Sequence, residues 1–148
     1  MEYIINDDGT VTRIGSSIVE KILLSDLNFT KKQLSAIRKI GGILAISSGN
    51  INSKKRSVVK TELLQIINGY SYLDIEQESK LISVEEAVCI VSNLTLKQKI
   101  YIKALFLTII CAGYNLEEIE KACLMYFSME CNLPNMTYWQ ANKIMVNL

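Results

Sequence analysis

The chain is predicted to be all-α: a helical bundle of about seven helices, built from two pseudo-repeated helix-turn-helix units behind a short N-terminal β-hairpin. Three observations predict it. The start signal Thr-x-x-Gln recurs at Thr30–Gln33, Thr95–Gln98 and Thr137–Gln140; in such a capping box the hydroxyl accepts from the third amide while the amide side chain reaches back. Apolar residues recur at helical spacing, as in Leu34, Ile37, Ile40 and Leu44. Two long segments also match at one offset, Thr95 lying 65 residues after Thr30.

Taken in chain order, Tyr3-Ile4-Ile5 and Val11-Thr12-Arg13-Ile14 flank Asp7-Asp8-Gly9, the pattern of a hairpin whose Gly takes the positive φ. A calcium loop is excluded there. With Gly9 at the sixth position, Ile4 and Gly15 fall where carboxylates are needed. Everything after residue 15 reads as helix. Ser16 or Ser17 opens a first helix to about Asn28, Thr30 a second, and Ser53 a third that ends at Asn68-Gly69. Ser83 with Glu86 opens the next, Thr95 the apolar helix to Cys111, Asn115 with Glu118 a helix to about Glu130, and Thr137 a last one after Pro134. The 70–82 connection is long for a helical protein. It reads either as a short extra helix or as a surface facing a partner. Tyr138 and Trp139 read as an aromatic clasp closing the bundle.

Composition narrows the chemistry. There is no histidine, which removes Ser-His and Cys-His pairs, imidazole acid–base work and histidine metal ligands. Cys89, Cys111, Cys123 and Cys131 form no C-x-x-C pair; Cys89 and Cys111 read as small hydrophobes in a reducing compartment. Sixteen basic against fifteen acidic residues leave +1, too little to draw nucleic acid, and only Lys54-Lys55-Arg56 with Lys60 is locally basic. The N-terminus lacks a signal-peptide pattern, and the apolar run 104–112 is about half the roughly 20 residues of a membrane span, so a cytoplasmic protein with no transmembrane segment is expected. Three N-x-T glycosylation patterns end in Thr30, Thr95 and Thr137, which already serve as helix caps.

At the offset of 65, Asn28-Phe29-Thr30 meets Asn93-Leu94-Thr95, Ile40 meets Leu105, and Leu44 meets Ile109. The turns align as well: Ser47-Ser48-Gly49-Asn50-Ile51 against Ala112-Gly113-Tyr114-Asn115-Leu116. One helical hairpin cannot bury its own apolar stripe, so two copies are expected to share a core. The domain plan is an extension over 1–15 and one helical domain over 16–148, with repeats at about 28–69 and 93–134.

This arrangement over residues 28–148 resembles the TerB family of tellurite-resistance-associated helical domains. The family motif is a helix ending in Ala-Asp-Gly, then a variable residue, an aliphatic, three more residues and Glu. Here it reads Ala112-Gly113-Tyr114-Asn115-Leu116-Glu117-Glu118-Ile119-Glu120 in the second copy and Ser47 to Lys55 in the first. Tyr126 to Pro134 is similar to the family's following helix and exit. Ser48 and Gly113 stand where the family has Asp, and Lys55 where it has Glu; Glu120 keeps it. The resemblance implies a non-enzymatic protein-interaction domain in a bacterial stress-response or defence setting, with a divalent-metal regulatory module as the alternative. Metal would fall on Asn115, Glu117 and Glu120, because Lys54-Lys55-Arg56 repels a cation at the first turn.

The expected partner surfaces are the two inter-helix turns and the 70–82 connection. They comprise Asn50, Asn52, Lys54, Lys55, Arg56, Tyr70, Tyr72, Asp74, Glu76, Glu117, Glu118 and Glu120. A protein partner of unknown identity is expected, with a homo-oligomer left open; no catalytic residue and no cofactor are. Glu85-Glu86 and Glu117-Glu118-Glu120 lie in first turns, where carboxylates favour the helix dipole. An enzyme using buried carboxylates would need a deep pocket holding two or more acids.

Overall fold

The computed structural model describes residues 3–15, 18–49, 53–112 and 116–148. Among these residues, seven α-helices follow a small sheet. Strands β1 (Tyr3–Ile5), β2 (Thr10–Arg13) and β3 (Val19–Lys21) form an antiparallel sheet in that order. Ile5 pairs with Val11, and Val11 with Glu20 across the second ladder. Gly9, at φ +84°, makes the β1–β2 turn, and its N–H donates to the Asn6 carbonyl at 3.0 Å.

The third strand corrects the sequence expectation of a helix from Ser16 or Ser17 to Asn28. Residues 18–27 hold β3 and a 3₁₀ turn over Leu24–Asp26, whose Asp26 carboxylate accepts from the Leu23 N–H at 2.8 Å. Ile18 and Ile22, four residues apart, share one side of either a helix or a strand, so their spacing does not choose between the two. Pairing with β2, a non-local contact, decides the outcome. Ser16 and Ser17 lie outside the described residues.

The helices are α1 (Lys31–Ala45), α2 (Ser53–Ile66), α3 (Tyr72–Leu81), α4 (Val84–Ser92), α5 (Leu96–Ile110), α6 (Glu118–Glu130) and α7 (Tyr138–Val146). Thr30, Thr95 and Thr137 each accept from the amide three residues on, and Gln33, Gln98 and Gln140 reach back to complete the boxes. Ser83 caps α4 by accepting from the Glu86 N–H, but Glu86 does not return the bond; its carboxylate turns to Lys32 at 3.1 Å. The cap of α6 is Glu117 rather than Asn115, which lies outside the described residues, and the Glu117 N–H donates to Glu120 at 3.4 Å. The 70–82 connection is the helix α3.

α1 and α5 form the middle of the bundle. α5 is buried on nearly every side, from Ile100 through Leu107 and again at Ile109 and Ile110, as expected of a helix apolar all round. The bounds of α1 shifted by 65 are those of α5. α2 and α6 start 65 apart, and α3 and α7 end 65 apart. The packing follows the same order: α3 lies on α1 as α7 lies on α5, while α2 touches α5 as α6 touches α1. The matching helices therefore extend past residues 69 and 134 to a third pair, with α4 standing between the halves and packing on α1.

α7 joins through Ala141 and Ile144, both buried. Tyr138 and Trp139 are exposed, which corrects the expected aromatic clasp; Lys143 lies over the Trp139 ring at 4.6 Å. Both aromatics sit in the first turn, off the face that Ala141 and Ile144 define. The four cysteines are free thiols. Cys131 is buried and Cys111 and Cys123 are half-buried, but Cys89 is exposed, not the core residue its apolar neighbours imply.

Candidate functional site

The sequence-flagged residues divide between surface and core. Lys54 and Arg56 are exposed at the start of α2, as are Glu117 and Glu118 at the start of α6. Asn50 and Asn52 lie outside the described residues. Lys55 and Glu120 are not surface groups at all: both are nearly inaccessible, and the Lys55 ammonium donates to the Glu120 carboxylate. Burial pushes the Lys55 pKa below its ordinary value, opposed by negative charge at Cys111 and Glu117. The carboxylate that a metal would need is therefore bonded to an ammonium. Glu120 is also the one buried carboxylate among the described residues.

Around α3 the structure brings several flagged residues together. Arg56, Tyr72 and Glu76 line a cleft of about 380 Å³ between α1, α2 and α3, with Arg38, Lys39, Lys60 and Lys80. Arg38 bridges its walls, donating to the Tyr72 hydroxyl at 3.2 Å and pairing with Glu76 at 3.4 Å. Glu78 pairs with Lys31 at 3.6 Å. These carboxylates fasten α3 to α1, whereas Tyr70 and Asp74 remain exposed.

Two features of α6 were missed by sequence reasoning. The first is its outer surface. Ile119, Ala122, Tyr126 and Met129 are all exposed, Met129 by 74%. Their spacing of three, four and three puts them on one helical face. The inner face, with Glu120, Leu124, Phe127 and Ser128, meets the core. A surface helix ordinarily turns polar residues outward, so α6 is apolar on two faces.

The second lies on the flank between those faces. A cavity of about 600 Å³ opens between α5 and α6, walled by Leu107, Ile110, Leu124, Met125, Met129 and Leu133. Lys103, from α5, reaches it and is only 6% exposed. Its ammonium donates to the Ser128 hydroxyl, and among the described residues it pairs with no carboxylate. Burial lowers its pKa. Ser128 and Leu133 are fixed by the end of α6: the Leu133 N–H donates to the Ser128 carbonyl at 2.7 Å, and Asn132 takes φ +54°, a Schellman ending. One signal in the sequence did point to this site. A lysine inside a helix with no polar face has no solvent to reach.

No protein-family model and no curated protein matches the chain. Among solved structures, a protein of unknown function from Porphyromonas gingivalis is similar, with a TM-score of 0.71 and 23% identity over 81% of this chain and 92% of that one. The likeness shows a shared fold. No helix among the described residues is long and apolar enough to cross a membrane.

Proposed function

We propose that this chain is a non-enzymatic interaction module that docks an amphipathic helix of a partner protein on the outer face of α6. The carrying observation is the exposed stripe Ile119, Ala122, Tyr126 and Met129. Such spacing makes one continuous apolar helix face, of the kind that packs against a second helix. Exposed Glu117, Glu118 and Glu130 border the stripe at its two ends, so the fitting partner is an apolar helix face flanked by Lys or Arg. Of the surfaces expected from sequence, this reading keeps Glu117 and Glu118 as the rim and gives Glu120 to the core. The resemblance to TerB domains supports a bacterial stress-response or defence setting. A metal-responsive module on Asn115, Glu117 and Glu120 is the weaker reading, because Glu120 is committed to Lys55.

The test is capture from the native cell with the wild-type chain and with Ile119→Glu, Tyr126→Glu and Met129→Glu. A partner held by the wild type and released by all three, at unchanged melting temperature, supports the reading. Equal capture by wild type and variants overturns it, as does a stripe whose only occupant is a second copy of the chain.

A further inference from the structure

We propose that the cavity between α5 and α6 is a ligand site for an unbranched monocarboxylic acid, whose carboxylate sits on Lys103 and Ser128 and whose hydrocarbon chain lies along Leu107, Leu124, Met125 and Met129. This goes beyond the docking surface, which occupies a neighbouring face of the same helix and shares only Met129 with the cavity.

The charge balance comes first. An ammonium taken out of water needs a counter-charge, and a single hydroxyl does not supply one. Lys103 has that single hydroxyl, from Ser128. Among the described residues no Asp or Glu lines the cavity, whereas a second cation, Lys121, stands in its wall. Lys121 is half-exposed and already bonded to Glu118 at 3.2 Å, so the unmet demand is at Lys103.

The donors then select the anion. Lys103 offers its remaining N–H groups, and the Ser128 hydroxyl hydrogen has no acceptor among the described residues. Two donors side by side fit the two oxygens of a carboxylate. Asn132 and Asn135 also stand in the wall, but Lys103 and Ser128 are its only buried polar side chains among the described residues, and a phosphate dianion asks for more than two donors. The volume of about 600 Å³ falls within the roughly 300–1,000 Å³ of small-molecule sites, which are mostly apolar with a few placed polar groups. Met125 and Met129 supply flexible walls that adapt to a chain.

The experiment is calorimetric titration of the full chain with octanoate, decanoate and dodecanoate, each below its micelle concentration, and with the matched primary alcohols. Affinity is expected to rise roughly fourfold per added methylene. Each acid should bind roughly 10- to 100-fold more tightly than its alcohol, the usual worth of a hydrogen bond to a charged group. Lys103→Met should erase that preference while keeping alcohol binding, and Lys103→Arg should retain it. Ile119→Glu should leave decanoate binding intact and Lys103→Met should leave partner capture intact, so this site and the docking stripe fail separately. Equal affinity for acid and alcohol in the wild type overturns the proposal, as does binding of neither. So does a borohydride-trapped adduct of decanal on Lys103 without decanoate binding, which would make the lysine an imine-forming amine.

Discussion

Lys55 and Glu120 occupy the same position in the two halves of the chain and bond to each other in its interior. Contact between equivalent positions places the pair where the halves meet, as in an isologous interface folded into one chain. α2 supplies the ammonium and α6 the carboxylate, and each helix also touches the opposite half's central helix. Two identical charges could not share this spot, so the halves had to diverge here whatever else they kept.

Breaking the pair should cost more than removing it. Lys55→Met leaves the buried Glu120 carboxylate without its ammonium and should lose about 3–5 kcal/mol, and Glu120→Leu, which takes from the Lys55 ammonium its buried carboxylate, should also destabilise. The double variant should recover most of that loss, since well-packed apolar replacements of buried ion pairs are often neutral. Because the positions are equivalent, the exchange Lys55→Glu with Glu120→Lys should also fold more stably than either single change. Urea unfolding of the five proteins measures the cycle, and additive single losses would show that the pair is not coupled.

The helical plan was legible because caps and apolar periods are local. Thr30, Thr95 and Thr137 announce their helices, and the offset of 65 aligns three pairs. The missed features depend on what lies across the fold. Val19 becomes a strand only because β2 is beside it. Glu120 has the look of a first-turn carboxylate favoured by the dipole, yet its neighbour from the other half draws it inward. Glu76 and Glu78 look like a solvated run until α1 is placed against them. The outer apolar face of α6 is invisible as such in a sequence, because Ile119, Tyr126 and Met129 are the residues one would assign to the core.

Alkaline pH should destabilise the fold through its buried thiols. Burial pushes Cys131 up from 9.0 to about 12, and raises Cys111 and Cys123 as well. A thiol whose folded pKa lies above its unfolded value contributes fully below pH 9 and loses that contribution as pH climbs toward 12. The unfolded chain then ionises while the folded one resists. For Cys131 the slope is about 1.4 kcal/mol per pH unit. Urea melts between pH 8 and 10.5 should show the fall, and Cys131→Ala should flatten it. An unchanged slope in that variant would remove Cys131 from the account, whatever the variant loses at neutral pH from its smaller side chain.

Asn132 closes α6 with a left-handed backbone, φ +54°. A Cβ makes that conformation costly for most residues, and Asn and Gly tolerate it best. Asn132→Ala should destabilise by about 1 kcal/mol, and Asn132→Gly should be neutral or mildly stabilising. Thermal unfolding of the two variants separates backbone strain from loss of the side chain: equal losses would mean that the amide, not the φ, matters.

Gly9 and Gly15 offer a matched comparison at the N-terminal sheet. Both have φ +84°, so alanine at either pays the left-handed penalty of about 1–2 kcal/mol. A Cβ on Gly15 meets nothing within 4 Å. One on Gly9 comes to 3.0 Å from the Lys143 carbonyl and 3.0 Å from Asn147 Nδ2, atoms already bonded to each other at 2.7 Å at the end of α7. The carbonyl belongs to a helix and cannot yield cheaply. Gly9→Ala should therefore lose at least about 1 kcal/mol more than Gly15→Ala, since it adds a clash to the same strain. It should also speed hydrogen exchange in β1, β2 and the last turn of α7 while leaving α1 and α5 protected. If the two variants proved equally stable, the β1–β2 turn would not be seated on α7.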